Sequence, residues 1–366
     1  MADKLVLLID SLGSGGAQRQ ICLLGAELAA AGHDVTLVYY QPFHHMRGIL
    51  EGSNVKIKEI RLPEDVSKLQ KLLRIVRELR LLRPTHVISF IDGPNLAAGL
   101  AKLMGGGFTW VPSERNLNVS TTWREVLWRS VLFVFAKSIV CNSFSQSEWI
   151  KKNIFFAKKK TRTIVNGISK SFFDSEGTDP FSRIQNGRDF VILGRVAPQK
   201  NPKLLLSAVE LLDEDQRSRF RFSWFGEEEV GYPGWRAELQ GECLSRKLPI
   251  HFFPATSDPQ SVVRDASALI LCSDHEGTPN VVLEAMALGT PVIASDVSDV
   301  PRLLDDGSRG LVFRAGDAVD MANAIRRFLR LSRPEIENMT EAANAFVKSE
   351  CSPQAMSSKF LQALGL

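Results

Sequence analysis

The sequence predicts an α/β protein built from two doubly wound domains. Three observations predict it. Strand-like and helix-like segments alternate almost from end to end, the signature of parallel sheets covered by helices on both faces. The alternation stops once, between Asn166 and Arg188, where Gly, Ser, Asp, Asn and Pro dominate. At 366 residues the chain also exceeds the size at which a single core stops growing. The expected organisation is a first domain over residues 1–170, a linker over 171–188 and a second domain over 189–350. A C-terminal helix over 351–366 is expected to pack back on the first domain.

In the first half, Lys4 to Ile9 is an apolar strand that runs into the glycine loop Gly13-Ser14-Gly15-Gly16. Ala17 to Ala31 is a helix closed by Gly32. Val35 to Tyr40 and Val55 to Ile60 are strands. Val66 to Leu82 is an amphipathic helix with an apolar arc of Leu69, Leu72, Leu73, Val76 and Leu79; Lys71, Arg74, Arg77 and Arg80 fall outside it. Strands follow at His86 to Phe90, Thr109 to Pro112, Ser138 to Asn142 and Thr161 to Val165. Helices lie between them at Asn95 to Met104, Thr122 to Ala136 and Ser145 to Asn153.

The second half repeats the pattern. Strands read at Phe190 to Leu193, Phe220 to Phe225, Ile250 to Phe253, Ala268 to Cys272, Pro291 to Ala294 and Gly310 to Phe313. Helices read at Pro202 to Leu212, Trp235 to Leu244, Pro259 to Asp265, Ala318 to Leu331, Pro334 to Lys348 and Pro353 to Leu364. One more helix follows Ala268 to Cys272, with Thr278 at its N-cap, Pro279 at its first position and Gly289 closing it.

Composition excludes several classes. The net charge of +4 is too small for a global polyanion binder, so local clusters must carry any such role. Five cysteines without a CxxC pair argue for a reducing cytosol and against a zinc site. The six histidines have no metal-ligand spacing, and no nucleophile elbow occurs. No metal and no cofactor are expected. The apolar run Leu5 to Ile9 is too short for a signal peptide, and no run approaches the roughly 20 apolar residues of a membrane span.

The chemistry concentrates on loops that follow strands, which in an open parallel sheet converge on one crevice. Gly13-Ser14-Gly15-Gly16 lets backbone approach a phosphate, or simply makes a tight turn. It is no dinucleotide fingerprint, because Gln18 holds the third glycine's place and no acidic residue ends the second strand. In the matching place of the second half, Arg195 offers a planar fork of donors and Lys200 a compact charge, a pair suited to a diphosphate. In the turn Glu276-Gly277-Thr278-Pro279-Asn280, Glu276 precedes a helix N-terminus and Glu284 lies inside the helix. Two acceptor-only carboxylates around a ring of donors suit a ligand with hydroxyls at both ends and phosphates between, a nucleotide-sugar. The plainer alternative is a solvated turn and a helix-favouring glutamate.

Gly194-Arg195, Lys200-Asn201-Pro202 and Glu276-x7-Glu284-Ala-Met-Ala-x-Gly-Thr-Pro together resemble the retaining glycosyltransferases of the GT-B fold, the glycosyltransferase family 4 group. Ser14-Gly15-Gly16-Ala17-Gln18-Arg19 is similar to that family's N-terminal glycine loop. The resemblance implies two Rossmann-like domains facing a central cleft, with a UDP-sugar the favoured donor. It implies that Glu284 bonds the ribose, that Glu276, Gly277, Thr278, Pro279 and Asn280 hold the donor sugar, and that Arg195 and Lys200 neutralise the diphosphate. Gly15 and Gly16 would close over it. The expected activity is retaining transfer of a hexose or N-acetylhexosamine. Two stretches depart from the family: Val297-Ser298-Asp299 stands where a glycine pair is common, and Phe252-Phe253-Pro254 replaces a common Phe-Leu-Gly.

The first domain is expected to carry a saccharide acceptor. Ser113-Glu114-Arg115-Asn116 and the loop around Asp92 resemble loops of family members that extend polyprenyl-diphosphate-linked glycans, so Asp92, Glu114, Arg115 and Asn116 are acceptor-side candidates. Lys151, Lys152, Lys158, Lys159, Lys160 and Arg162 interleave with Trp149, Ile154, Phe155 and Phe156, while Trp123-Arg124 and Trp128-Arg129 open an apolar helix. Basic and aromatic residues together suit an anionic bilayer surface. No nucleic-acid recognition motif is present. The expectation is a cytoplasmic enzyme at the inner face of a membrane. A nucleotide-sugar epimerase on the same fold and a non-catalytic sugar-binding subunit are the alternatives, separated by whether a glycan product forms.

Overall fold

The computed structural model describes residues 3–115, 122–174, 179–187 and 189–366, with the side chain of Asp306 excepted. The elements run β1 (Lys4–Leu8), α1 (Gly16–Ala30), β2 (Asp34–Tyr39), β3 (Lys56–Glu59), α2 (Lys68–Leu81), β4 (His86–Phe90), α3 (Asp92–Leu103), β5 (Thr109–Glu114), α4 (Trp123–Leu132), β6 (Ile139–Cys141), α5 (Phe144–Asn153) and β7 (Thr161–Thr163). They continue with α6 (Pro180–Gln185), β8 (Phe190–Leu193), α7 (Pro202–Glu210), α8 (Glu214–Arg219), β9 (Phe222–Phe225), α9 (Trp235–Ser245), β10 (Ile250–Phe253), α10 (Pro259–Arg264), β11 (Ala268–Leu271), α11 (Asn280–Ala287), β12 (Val292–Ser295), α12 (Val300–Leu303), β13 (Leu311–Phe313), α13 (Ala318–Leu329), α14 (Arg333–Glu350) and α15 (Pro353–Leu364). Two compact units result: Met1–Gly167 with Cys351–Leu366, and Ile168–Glu350.

In the first unit the described strands form a parallel sheet in the order β3-β2-β1-β4-β5-β6-β7. Successive β1 residues point to opposite faces. Leu5, Leu7 and Ile9 pack with α1 and α15, whereas Val6 and Leu8 pack with α2, α3, α4 and α5. α15 lies along α1 and stacks Phe360 on Phe90, ring centroids 5.8 Å apart. Side-chain caps fix where helices start: Ser67 with Gln70 makes a capping box on α2, and Thr122 with Glu125 makes one on α4. The strand order reverses between β1 and β4, so the loops at the carboxyl ends of those strands open a crevice in this unit.

The second unit's described strands run β10-β9-β8-β11-β12-β13, also parallel, with the reversal between β8 and β11. Its core includes an aromatic knot. Phe190 stacks on Phe222 at 5.0 Å and meets Phe328 edge-on at 5.9 Å, contacts worth about 1 kcal/mol each beyond area burial.

Four sequence expectations change. The stretch read as a linker holds α6, started by Asp179 accepting from Phe181 and Ser182 amides with Pro180 at its first turn. The helix after β11 begins at Asn280 rather than Pro279, and its N-cap is Pro279 rather than Thr278. Pro279 has ψ 88°, outside the helical region, and Ser298 Oγ ties the preceding turn at the Gly277 carbonyl, 2.9 Å. On α2 the buried residues are Ile75, Val76 and Leu79, while Leu69 and Leu73 are exposed, because the sheet reaches only that narrower arc. Two short helices, α8 and α12, lie where loops were expected.

Candidate functional site

In the second unit, the loops after β8 and β11 are clipped together. The Asp274 amide donates to the Gln199 carbonyl (2.9 Å), Gln199 Nε2 to the His275 carbonyl (2.8 Å), and Asn201 Nδ2 to Asp274 Oδ1 (2.7 Å). Asn201 adopts the left-handed conformation (φ 49°) and caps α7 by accepting from the Leu204 amide, so it ends one loop and starts a helix in one step. Cys272 Sγ lies against the Lys200 carbonyl, and burial pushes its thiol up to about 12, so it is packing and no nucleophile.

This clip brings Lys200 and Glu276 into contact. Lys200 Nζ is 2.5 Å from Glu276 Oε1, and Ser273 Oγ donates to the same oxygen at 2.6 Å. Glu276 is almost wholly buried. Ser273 is itself fixed, its carbonyl accepting from Ser295 Oγ (2.7 Å). A buried carboxylate with two donors on one oxygen has a defined orientation and keeps its second oxygen for another partner. The Lys200 stem folds back over Gly194, whose Cβ position lies 3.4 Å from Lys200 Cε, so Lys200 runs beside the backbone that carries Arg195. Arg195 is 58% exposed and pairs with Glu229 at 2.6 Å. Gly277, Thr278, Pro279 and Asn280 form the turn into α11, and Glu284 sits on its second turn, half-buried.

Gly226 is a site residue that sequence reasoning misses. A Cβ there would lie 1.9 Å from the Gly194 carbonyl oxygen, so only glycine lets the β9 loop pass under Gly194-Arg195. Trp224 Nε1 donates to the same carbonyl at 2.8 Å. Gly226 ends an apolar strand, and that was its only signal. Glu229 was missed for a different reason: a partner 34 residues away leaves no local pattern.

In the first unit, Gly15 is the N-cap of α1 and Gly16 its first residue, with Gln18 Nε2 donating to Asp10 Oδ1 at 3.0 Å. At the carboxyl end of β4, Ile91 has φ 65° and ψ 169°, a strained position for a β-branched residue. It presents Asp92, which Arg129 Nη2 holds at 2.5 Å. Arg129 also bonds Glu114 Oε2 (3.1 Å), and Asn95 Nδ2 donates to Glu114 Oε1 (3.0 Å). Burial raises the Glu114 pKa, and Arg129 opposes it. Glu114 is buried, one oxygen taken by Asn95 and the other by Arg129. Arg129, read from the sequence as part of a membrane-facing basic cluster, is 1% exposed and serves as the internal counter-ion. Lys160 also leaves that cluster, because its ammonium caps the Val134 and Ala136 carbonyls.

Arg115 differs from Arg129. It is 8% exposed, donates from Nε to Ser113 Oγ (2.9 Å) and from Nη1 to Asn166 Oδ1 (2.6 Å), and lies over the Phe90 ring at 4.0 Å. Among the described residues its Nη2 has no partner and no carboxylate pairs with it. Burial lowers its pKa well below the ordinary guanidinium value, to about 9. A buried guanidinium still charged at neutral pH, with a free donor, is a seat for an anion. Asn116 lies outside the described residues.

The family described as Glycosyltransferase Family 4 matches residues 14–172, and the family described as Glycosyl transferases group 1 matches residues 178–346. The chain belongs to the GT-B glycosyltransferases of the family 4 group. A Campylobacter jejuni relative is 23% identical over 337 residues, 89% of each chain. It is a GalNAc-α-(1→4)-GalNAc-α-(1→3)-diNAcBac-PP-undecaprenol α-1,4-N-acetyl-D-galactosaminyltransferase. A Komagataeibacter xylinus GDP-mannose:cellobiosyl-diphosphopolyprenol α-mannosyltransferase is 28% identical over 255 residues, 67% of this chain and 59% of that one. The Anabaena protein HepE, solved with UDP and glucose, has the same fold at a TM-score of 0.81 and 15% identity, over 99% of each chain. As a GT-B glycosyltransferase, the chain has no described helix long and apolar enough to cross a membrane.

Proposed function

We propose that this glycosyltransferase moves a hexose or N-acetylhexosamine, with retention of configuration, from a UDP-sugar to a saccharide carried on a polyprenyl diphosphate. The single observation that carries the reading is the Lys200–Glu276 contact, held by two clipped loops and by Ser273. A donor diphosphate seated by Lys200 and Arg195 would share Lys200 with Glu276. Negative charge grows on that diphosphate as the sugar leaves, so fixed cations stabilise the transition state more than the ground state. Glu276, oriented through one oxygen, uses the other to accept from hydroxyls of the transferred sugar. Glu284 takes the ribose hydroxyls, and Thr278, Pro279 and Asn280 shape the turn that carries the sugar. Retention then follows a front-face path in which the departing phosphate oxygen receives the acceptor's proton. These protein cations supply the charge for leaving-group departure, and the reading invokes no metal or cofactor.

On the acceptor side, Arg115 takes a phosphate oxygen and Asp92 accepts from an acceptor hydroxyl. The relatives that act on undecaprenol- and polyprenol-linked saccharides support this choice, and the UDP-bound neighbour supports the base. The enzyme is read as peripheral to the cytoplasmic face of an anionic membrane. A thermal-shift screen against nucleotide-sugars is the test, since a tight ligand raises the melting temperature. UDP-sugars should stabilise the wild-type chain and not Lys200→Ala. The K. xylinus relative's donor makes a GDP-sugar the competing outcome. Silence across the whole panel would sink the reading.

A further inference from the structure

The helix that carries Glu284, α11, has no side-chain cap at its N-terminal end. Its C-terminal end is held much more firmly. The Gly289 amide donates to the Met286 carbonyl (3.3 Å) and the Thr290 amide to the Ala285 carbonyl (2.9 Å), with Gly289 left-handed at φ 67°. This pair of bonds is a Schellman turn, and it is why a glycine closes the stretch that begins at Glu276. Asn344 Nδ2 donates to the Ala287 carbonyl at 2.6 Å. The turn then presents two further acceptors, the Gly289 carbonyl and Thr290 Oγ1.

Arg183 takes both. It stands on α6, inside the stretch read from the sequence as a linker, and is 3% exposed. Its Nη2 donates to the Gly289 carbonyl at 3.3 Å, and its Nη1 donates to Thr290 Oγ1 at 3.4 Å and to the Arg264 carbonyl. Thr290 Oγ1 donates in turn to the Val263 carbonyl at 2.9 Å. Val263 and Arg264 close α10, so one guanidinium and one hydroxyl join the C-terminal ends of α10 and α11. Helix C-termini are negative poles, which suits a cation. The two carboxylates that act on Arg183, Asp179 and Asp265, are paired with Arg333 (3.0 Å) and Arg264 (3.1 Å) instead. Arg333 also lies over the Phe181 ring at 4.9 Å, which fastens α6 to α14. A cavity of about 440 Å3 adjoins Arg183, bordered also by Leu288, Gly289 and Asn344.

We infer that Arg183 is a positioning residue for donor binding: by gripping the Gly289-Thr290 turn it fixes the axial place of α11 and, with it, the Glu284 carboxylate. α11 has eight residues, a rod of about 12 Å, and Glu284 stands about 8 Å along the axis from the turn. A displacement of the turn therefore reaches Glu284 almost undiminished. A shift of about 1 Å at a contact group is enough to impair a site. The inference rests on the assignment of Glu284 to the donor ribose, and the experiment includes a variant that tests that assignment by itself.

The test is titration calorimetry of the full chain with UDP and with GDP, reading the nucleotide that the wild type binds, at a temperature where each variant is folded. Arg183→Ala should bind it about tenfold more weakly, the effect of impairing one hydrogen bond to a carboxylate. Millimolar guanidinium, entering through the adjoining cavity, should restore most of the loss and leave wild type and Glu284→Ala unchanged. Arg183→Lys keeps the cation without the fork and should fall between wild type and Arg183→Ala. Thr290→Val removes the hydroxyl from the same clamp and should also weaken binding, which keeps the inference testable if Arg183→Ala does not fold. Wild-type affinity in Arg183→Ala or in Thr290→Val, beside weakened binding by Glu284→Ala, would overturn the positioning role and leave the donor reading standing. A loss that neither guanidinium nor lysine reduces would make Arg183 a structural residue only. Wild-type affinity in Glu284→Ala would overturn the ribose assignment, and the inference with it.

Discussion

Arg115 and Arg129 are both buried, yet replacing each by methionine should have opposite consequences. Arg129 is ion-paired to Asp92 and Glu114, so Arg129→Met strands the buried Glu114 carboxylate without its cation. Breaking a buried pair in this way costs about 3–5 kcal/mol. For a unit of this size that lowers the melting temperature by about 10 °C. Arg115→Met loses two neutral-acceptor hydrogen bonds, about 1 kcal/mol each, and a cation–π contact of about 1–2 kcal/mol. Against this, burial pulls the Arg115 pKa down to about 9, a shift that disfavours the buried cation by several kcal/mol. The two sides nearly cancel, so Arg115→Met should melt within a few degrees of wild type or above it.

Function should move the other way. Loss of a charge-assisted bond to an acceptor phosphate should raise the acceptor KM about ten- to hundredfold, with little change in donor KM. The wild-type acceptor KM should also rise as pH passes about 9, where the folded protein releases the Arg115 proton, and this limb should vanish in Arg115→Met. The linkage sign agrees. Above about pH 9, and until the unfolded guanidinium itself titrates, the unfolded chain binds the extra proton, so this residue's contribution to stability rises with pH while binding falls. Steady-state kinetics with a short-chain polyprenyl-diphosphate acceptor, alongside thermal melts, reads both quantities. If Arg115→Met melts as low as Arg129→Met, or leaves the acceptor KM unchanged, Arg115 is a structural residue and the anion seat is wrong.

Lys200→Ala leaves Glu276 with Ser273 as its recorded donor and should lower kcat by about 100- to 1000-fold; a loss below tenfold would remove Lys200 from leaving-group stabilisation. Glu284→Ala should raise donor KM while Glu276→Ala mainly lowers kcat, and the same kinetic signature from both would erase the division between ribose and transferred sugar. Gly226→Ala places a methyl 1.9 Å from the Gly194 oxygen, so it should cost several kcal/mol and abolish the thermal shift with UDP-sugars; an unchanged melt and shift would mean the β9 loop yields at no cost.

The inner strands were legible where they are short apolar runs in a parallel sheet buried on both faces, as in Phe190–Leu193 or Ala268–Leu271. The loops after them were legible for the same reason, since a polar cluster between a buried strand and a helix has one place to go. The helices that escaped, α6, α8 and α12, have six, six and four residues, too few for a periodic face, and α6 and α8 owe their starts to side-chain caps at Asp179 and at Asp213 with Gln216. Glu276 and Lys200 could be named as partners in one site but not as a contact, because 76 residues separate them and only the clip between their loops closes the distance.

The arginines mark where pattern reading ends. Arg129 and Arg77 both sit on amphipathic helices beside apolar neighbours, and Arg115 follows an apolar strand. Their sequence surroundings predict similar fates, a charge facing solvent. What separates them is the partner each finds. Arg129 meets carboxylates 15 and 37 residues away and becomes interior architecture. Arg115 meets an amide 51 residues away, two aromatic rings and no carboxylate, and so carries a charge the fold does not neutralise. Arg77 meets no salt-bridge partner and stays outside beside a cavity. A desolvated cation is costly unless something compensates it. The fold pairs Arg129 with carboxylates and offsets Arg115 only with neutral acceptors and aromatic rings, which is why the proposed acceptor phosphate is assigned to Arg115 and not to Arg129.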